Sequence, residues 1–163
     1  MGIMSETEQR PPGEIRAALD AHTTMTLAYA DEDGPQACAV LYARGETADG
    51  GPALLFVTSV TTRHGRALLD GGPVAFTVQR DGQVWTALTG LQGRGVCRRL
   101  EGPDREAGWR TYGTRHPYVD RNEKLRQAME RTDLWELRPE WLRLVDNGQG
   151  FGHKTEWTHH PIV

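Results

Sequence analysis

The chain has 163 residues, within the ~100–200 expected of a single domain. Hydrophobic residues make up 37% and charged residues 25%, a mix that supports one ordinary core and argues against a disordered chain. The net charge of −3 lacks the footprint of a nucleic-acid binder, and no apolar run approaches the ~20 residues of a membrane span.

Residues 1–13 carry charge and two prolines and read as a flexible tail. Glu14–Asp20 places Ile15, Ala18 and Leu19 at helical spacing. Thr24–Tyr29 alternates as a half-buried strand does, Asp33-Gly34 is a turn signal, and Ala37–Tyr42 is the returning strand. A Gly/Asp/Thr loop, Gly45–Pro52, precedes Ala53–Thr58, a strand apolar enough to be central. Thr61–Leu69 reads as a capped start followed by a short helix, which Gly71-Gly72-Pro73 ends. Val74–Val78 and Val84–Thr89 are predicted strands across Asp81-Gly82, and Gln92–Leu100 continues with Gly93 and Gly95 permitting a bulge or bend. Asp104–Tyr112 and Glu123–Arg131 look helical. Leu134–Leu137 and Trp141–Val145 give two last strands around Pro139, before Asn147–Gly152 turns into a polar tail. Strands in hairpin succession imply antiparallel pairing, and such a sheet removes its edges by closing on itself. The fold class is therefore α+β, a mainly antiparallel β-barrel with short flanking helices. The domain spans 14–157, with 158–163 as a C-terminal tail.

Chemistry concentrates at Leu55–Arg66. A central strand leads into a hydroxyl-rich turn in which Thr58, Ser59 and Thr62 offer hydroxyls while Arg63, His64 and Arg66 offer charge-assisted donors, a set suited to a phosphate monoester. Lys124 and Lys154 are the only lysines among the 19 basic residues, so arginine supplies the other 17; its planar fork suits phosphate, though a GC-rich genome explains the bias as well. Cys38 and Cys97 are far apart, without metal-ligand spacing, and read as inert thiols; no metal site is expected. Ser59, His64 and Asp70 lack a nucleophile-elbow context, and no catalytic residue stands out.

The strand–TTRHGRALL–GGPVAFTV run, the Gly90–Gly102 segment and the ending Leu144–Gly152 together resemble the pyridoxamine 5′-phosphate oxidase-like, FMN-binding split barrels, in particular small bacterial members without settled function. The resemblance covers residues from about 25 to 157 and implies a split barrel that pairs into homodimers. It implies that Thr62 and Arg63 grip the flavin phosphate, with His64 where lysine is common and Thr58 and Ser59 at the strand end. It further implies that backbone groups of Cys38, Ala39 and Val40 face the isoalloxazine edge, that Gln92 lies near the ring, and that Phe151 and Trp157 approach the cofactor. Two features of members that oxidise pyridoxamine phosphate are missing. No basic residue stands in Gln36–Leu41, and no C-terminal arginine–histidine pair is evident, so that reaction is disfavoured.

The expectation is an FMN-dependent oxidoreductase acting on a small molecule, soluble and cytoplasmic, with no nucleic-acid or membrane partner. Two alternatives keep the fold. One is a non-catalytic carrier of flavin or of haem, the latter held by His153, His159 or His160 beside Phe151 and Trp157. The other is an F420-dependent reductase, for which a net charge of −3 shows little of the basic groove required.

Overall fold

The computed structural model describes residues 9–160. In β1 (Thr24–Asp31) Met25, Leu27 and Tyr29 are buried while the residues between them stay partly open, as a period of two requires. β2 (Gly34–Glu46) returns antiparallel, in register from Asp31 opposite Gly34 to Thr24 opposite Leu41. Gly34 takes a φ of +101° at that turn, which only a residue without Cβ adopts freely.

β3 (Pro52–Val57) pairs with the second half of β2, Tyr42–Glu46. Its unbroken apolar run is explained by cover on both faces: Leu54 and Phe56 lie in the barrel interior, and Leu55 lies under a helix, α3 (Gly102–Arg115), with Leu100, Tyr112 and Leu134. β4 (Pro73–Val78) joins β1 to β5 (Thr89–Arg99), and β5 pairs along its length with β6 (Leu134–Asp146). Leu134–Leu137 of β6 reach back to β3 and close the ring, while Trp141–Val145 pair with β7 (Lys154–Thr158). One edge of β6 thus serves two partners, and the barrel is split.

The first helix, α1 (Gly13–Asp20), buries Ile15 and Leu19 completely in the barrel core, and the Tyr42 hydroxyl donates to the Leu19 carbonyl at 2.5 Å. α2 (Arg63–Leu69) follows β3, and α4 (Glu123–Glu130) precedes β6. Asn122 caps α4 by accepting from the Leu125 amide at 3.1 Å.

Three expectations change. Val84–Thr89 is not a strand: Trp85–Ala87 form a 3₁₀ turn, and β4 pairs directly with Thr89–Arg99. The Gln83 side-chain amide stands in for a strand partner, accepting from the Thr89 amide at 2.8 Å and donating to its carbonyl at 2.9 Å. The strands on either side of Pro139 are one continuous β6, because the bulge at Arg94/Gly95 absorbs the proline. A Cβ on Gly95 would lie 2.0 Å from the Arg138 carbonyl oxygen, so the bend Gly95 was expected to permit requires it. The segment read as a polar tail carries β7, whose Trp157 is buried in the core. Gln9 is buried and donates to the His160 carbonyl at 2.6 Å, so two positions assigned to tails touch each other; residues 1–8 and 161–163 lie outside the described residues.

Candidate functional site

β3 ends at Val57, and the next residues fold into a knot of hydroxyls. Buried Thr58 Oγ1 lies 3.1 Å from Thr62 Oγ1 and 2.6 Å from His64 Nε2. Thr62 caps α2: its hydroxyl accepts from the Gly65 amide at 3.0 Å and donates to the Ser59 carbonyl at 2.8 Å. Ser59 Oγ, near the surface, pairs with Thr61 Oγ1 at 2.8 Å. The turn is fastened to β6 from behind, because Trp135 Nε1 donates to the Thr58 carbonyl at 3.1 Å and the Thr58 amide donates to the Asp133 carbonyl at 3.1 Å. A Cβ on Gly65 would fall 2.0 Å from the Ser59 oxygen, so the approach of turn to helix depends on glycine.

Arg63 does not stand free. Its Nε donates to Asp31 at 2.6 Å and its Nη2 to Asp33 at 2.5 Å, tying the turn to the β1–β2 hairpin. The guanidinium holds the Asp31 carboxyl below the usual carboxylate range. The Arg63 side chain is 47% exposed and that of Asp33 70%, so the Asp33 contact belongs to the class worth ~0–1 kcal/mol. A charge-assisted bond to phosphate is worth ~1.5–3 kcal/mol, enough to displace it. Asp31, at 16% exposure, is the steadier partner. The carboxylates therefore orient Arg63 without closing it to an anion.

His64 brings an imidazole to the turn in place of a fixed charge. Its ring lies 6.3 Å from that of Tyr29, and burial lowers its pKa below the ordinary histidine value. Near pH 7 it is a neutral partner of Thr58 and supplies no charge. It bonds Thr58 and not Ser59, while Ser59 turns to Thr61, so no Ser59–His64–Asp70 relay exists.

Cys38, Ala39 and Val40 lie on the half of β2 that β3 does not reach. β1 pairs with Gly34–Leu41 on one side, and on the other this stretch has no strand partner among the described residues. The backbone edge is open, as recognition of a flat heterocycle through main-chain groups requires. Cys38 and Val40 turn toward the core and Ala39 outward, and desolvation pushes the Cys38 thiol up. The Cys97 thiol is pushed up to about 12, so neither cysteine is an activated nucleophile.

Gln92 is exposed on β5. Register places it on the same sheet face as Ala39, in the row Ala39, Thr26, Thr77, Gln92. Phe151 and Trp157 do not join this group. Phe151 is 85% exposed and packs edge-on against Trp85 with ring centroids 6.1 Å apart. Trp157 is buried opposite Leu142, eight residues along β6 from Leu134, roughly 25 Å of strand from the Thr58 turn. His153 and His159 sit at opposite ends of β7 and cannot share a ligand, so the C-terminal histidine cluster is not assembled within one chain. No group of three His, Cys, Asp or Glu able to hold a metal occurs among the described residues.

Asp31, Asp33, Asp133 and Trp135 were not anticipated in this site. The run Asp31-Glu32-Asp33-Gly34 carried a signal, but it registered only as a turn. Its second role emerges when the hairpin folds over Arg63.

A family model described as pyridoxamine 5′-phosphate oxidase matches residues 11–146. The UPF0306 protein YhbP of Salmonella schwarzengrund (strain CVM19633) is 33% identical over 105 residues, which cover 64% of this chain and 66% of that protein. Among solved structures, a haem-binding protein from Mycobacterium smegmatis superposes with a TM-score of 0.65 at 21% identity, over 97% of this chain and 60% of that one. An FAD-binding protein from the same organism superposes with a TM-score of 0.61 at 14% identity, over 83% and 94% of the two chains. At these identities the structural likeness speaks to fold.

Proposed function

Since the chain belongs to the pyridoxamine 5′-phosphate oxidase family, we propose that it binds FMN in the split between the open edge of β2 and the Thr58–Arg63 turn, and serves as an oxidoreductase on a small molecule. The observation that carries this reading is the juxtaposition of a hydroxyl-and-guanidinium turn with an unpaired backbone edge. The donor set fits the cofactor: the hydroxyl of Ser59 and the guanidinium of Arg63 suit the phosphate, Thr62, whose amide and hydroxyl both donate to the Ser59 carbonyl, holds the turn that presents them, and main-chain groups of Cys38–Val40 suit the ring edge. Bound flavin supplies hydride or electron transfer, while the protein supplies orientation and electrostatics. Asp31 holds Arg63 in place, and Trp135 and Asp133 keep the turn from moving as phosphate arrives. Neutral His64 positions the Thr58 hydroxyl.

Haem is the second reading, favoured by the Mycobacterium smegmatis haem-binding neighbour and opposed by the separation of the C-terminal histidines. We further propose a homodimer formed through the knuckle of Val84, Trp85, Leu88 and Phe151, apolar side chains left 64%, 70%, 43% and 85% exposed. The flavin reading is tested by titrating the purified chain with FMN. Arg63→Ala should weaken binding by ~1.5–3 kcal/mol. Unchanged affinity in a folded variant, or a Soret band with haemin and no flavin uptake, would overturn it.

A further inference from the structure

We propose that the cavity beside α3 binds a small α-amino acid in its zwitterionic form, at a site separate from the flavin turn. The cavity, of about 260 Å3, opens between α3, the β2–β3 loop and the outer face of β5 and β6. Register builds its charged wall: Arg98 on β5 stands opposite Glu136 on β6, and Arg138 follows two positions along β6 on the same face. The Glu136 side chain is nine-tenths buried, and both arginines bond the same one of its oxygens. Arg98 Nε donates to Oε1 at 3.0 Å and Arg138 Nε to Oε1 at 2.6 Å. Oε2 has no hydrogen-bond partner among the described residues, yet it is not sealed in protein, because it opens onto the cavity that Glu136 lines. A purely structural staple would share two arginines between two oxygens. This arrangement keeps one carboxylate oxygen, in a largely desolvated place, for a donor from outside the chain.

The same wall offers donors beside that acceptor. The two terminal nitrogens of Arg138 bond nothing among the described residues, and of the Arg98 terminal pair only Nη1 is engaged, to Asp104 at 3.2 Å. Arg98 and Arg138 balance Glu136 and Asp104, while Glu46, also on the wall, turns to Arg44. A wall with no net charge and separated poles repels a simple anion from Oε2 and a simple cation from the guanidiniums. It suits a ligand that carries both charges. The spacing narrows the class further. Arg138 Nε lies 2.6 Å from Oε1, so the Arg138 fork and Oε2 are a few ångströms apart, as are the ammonium and carboxylate borne on one tetrahedral carbon. The ligand carboxylate meets the fork bidentately, and its ammonium donates to Oε2. Ala48, Ala53 and Ala107 line the remainder and admit a short aliphatic side chain. None of these residues belongs to the Thr58–Arg63 turn or to the open edge of β2, so the inference does not rest on the flavin reading.

The experiment measures calorimetric affinity of the full chain, without added FMN, for L-valine, N-acetyl-L-valine and L-valinamide, the last two lacking one charge each. The native chain should bind L-valine saturably and at least tenfold more tightly than either analogue. Arg138→Gln, which removes the fork from an exposed position, should remove at least tenfold of that affinity. Ala107→Phe, which fills the cavity from an exposed position on α3 and leaves every charge in place, should abolish it. Arg63→Ala should leave it unchanged. Absence of saturable binding by the native chain, equal or tighter binding of either analogue, or indifference to both cavity substitutions would overturn the proposal. FMN titrated into the same proteins keeps the two readings apart: flavin uptake without valine binding sinks only the amino-acid site, and the reverse sinks only the flavin assignment.

Discussion

Gly65→Ala probes the candidate site most directly. The added methyl would lie 2.0 Å from the Ser59 carbonyl oxygen and 2.9 Å from Thr62 Oγ1. Backbone cannot rotate away as a side chain tip can, so α2 and the Ser59 turn must part by about 1 Å to restore ordinary contact. That movement weakens two hydrogen bonds to the same carbonyl, from the Thr62 amide at 3.1 Å and the Thr62 hydroxyl at 2.8 Å. At ~1 kcal/mol each, with ~1–3 kcal/mol of overpacking and ~1 kcal/mol returned by alanine's helix propensity, the net cost is about 2–4 kcal/mol. For a chain of this size each kcal/mol lowers Tm by ~2–4 °C, so the midpoint should fall by roughly 4–16 °C, with the fold retained. Urea unfolding followed by tryptophan fluorescence gives the free energy. FMN titration at a temperature where the variant is folded should show at least a tenfold loss, since Arg63 moves with α2 away from the Ser59 hydroxyl. Gly13→Ala is the control, because its nearest new neighbour is Arg16 Nη2 at 3.8 Å and it should be neutral or stabilising by up to ~1 kcal/mol. A Gly65→Ala protein as stable as the native one would refute the close approach, and the geometry assigned to the turn with it.

His64 gives a pH signature. Burial lowers its folded pKa below the unfolded ~6.5, so the unfolded chain takes up that proton first. The contribution to stability is whole above about pH 6.5 and is lost as pH falls below it toward the lower folded value. His64→Gln should flatten this part of the profile; superimposable native and variant curves between about pH 7 and pH 5 would contradict the assignment. Trp135→Phe removes the 3.1 Å bond to the Thr58 carbonyl and should cost about 1–3 kcal/mol in chemical denaturation, the penalty of a buried carbonyl left unpaired. Trp85→Ser with Phe151→Ser should shift the sedimentation coefficient from dimer to monomer; a native chain that sediments as a monomer at every concentration would remove the basis for the knuckle as an interface.

The strands that bury one face were legible because alternation encodes them: Met25, Leu27 and Tyr29 alone identify β1, and β4 reads the same way. Val84–Thr89 misled because β propensity says nothing about whether a partner exists; Gln83 supplied the missing hydrogen bonds and the chain coiled. β7 was hidden because in KTEWT only Trp157 faces the core, too thin a pattern to separate from a polar tail. At the site, the hydroxyl turn was legible as a run of local residues. The clamp on Arg63 was not, because Asp31 is 32 positions away and its role depends on the hairpin's register. The open edge of β2 was equally hidden. An edge is a fact about what other strands leave uncovered.

That edge also bears on how the protein survives in a crowded solution. Gly34–Leu41 offers a row of main-chain donors and acceptors to whatever strand drifts past, including the same segment of another molecule. Pro35 interrupts the row by lacking an N–H, but Ala37, Ala39 and Leu41 present an outward face with little charge to deter stacking. On the proposed flavin reading, the chain without FMN is the species most exposed to self-association, and supply of the heterocycle would govern solubility as well. Light scattering at rising concentration, with and without FMN, tests this: on that reading FMN should suppress association by covering the edge.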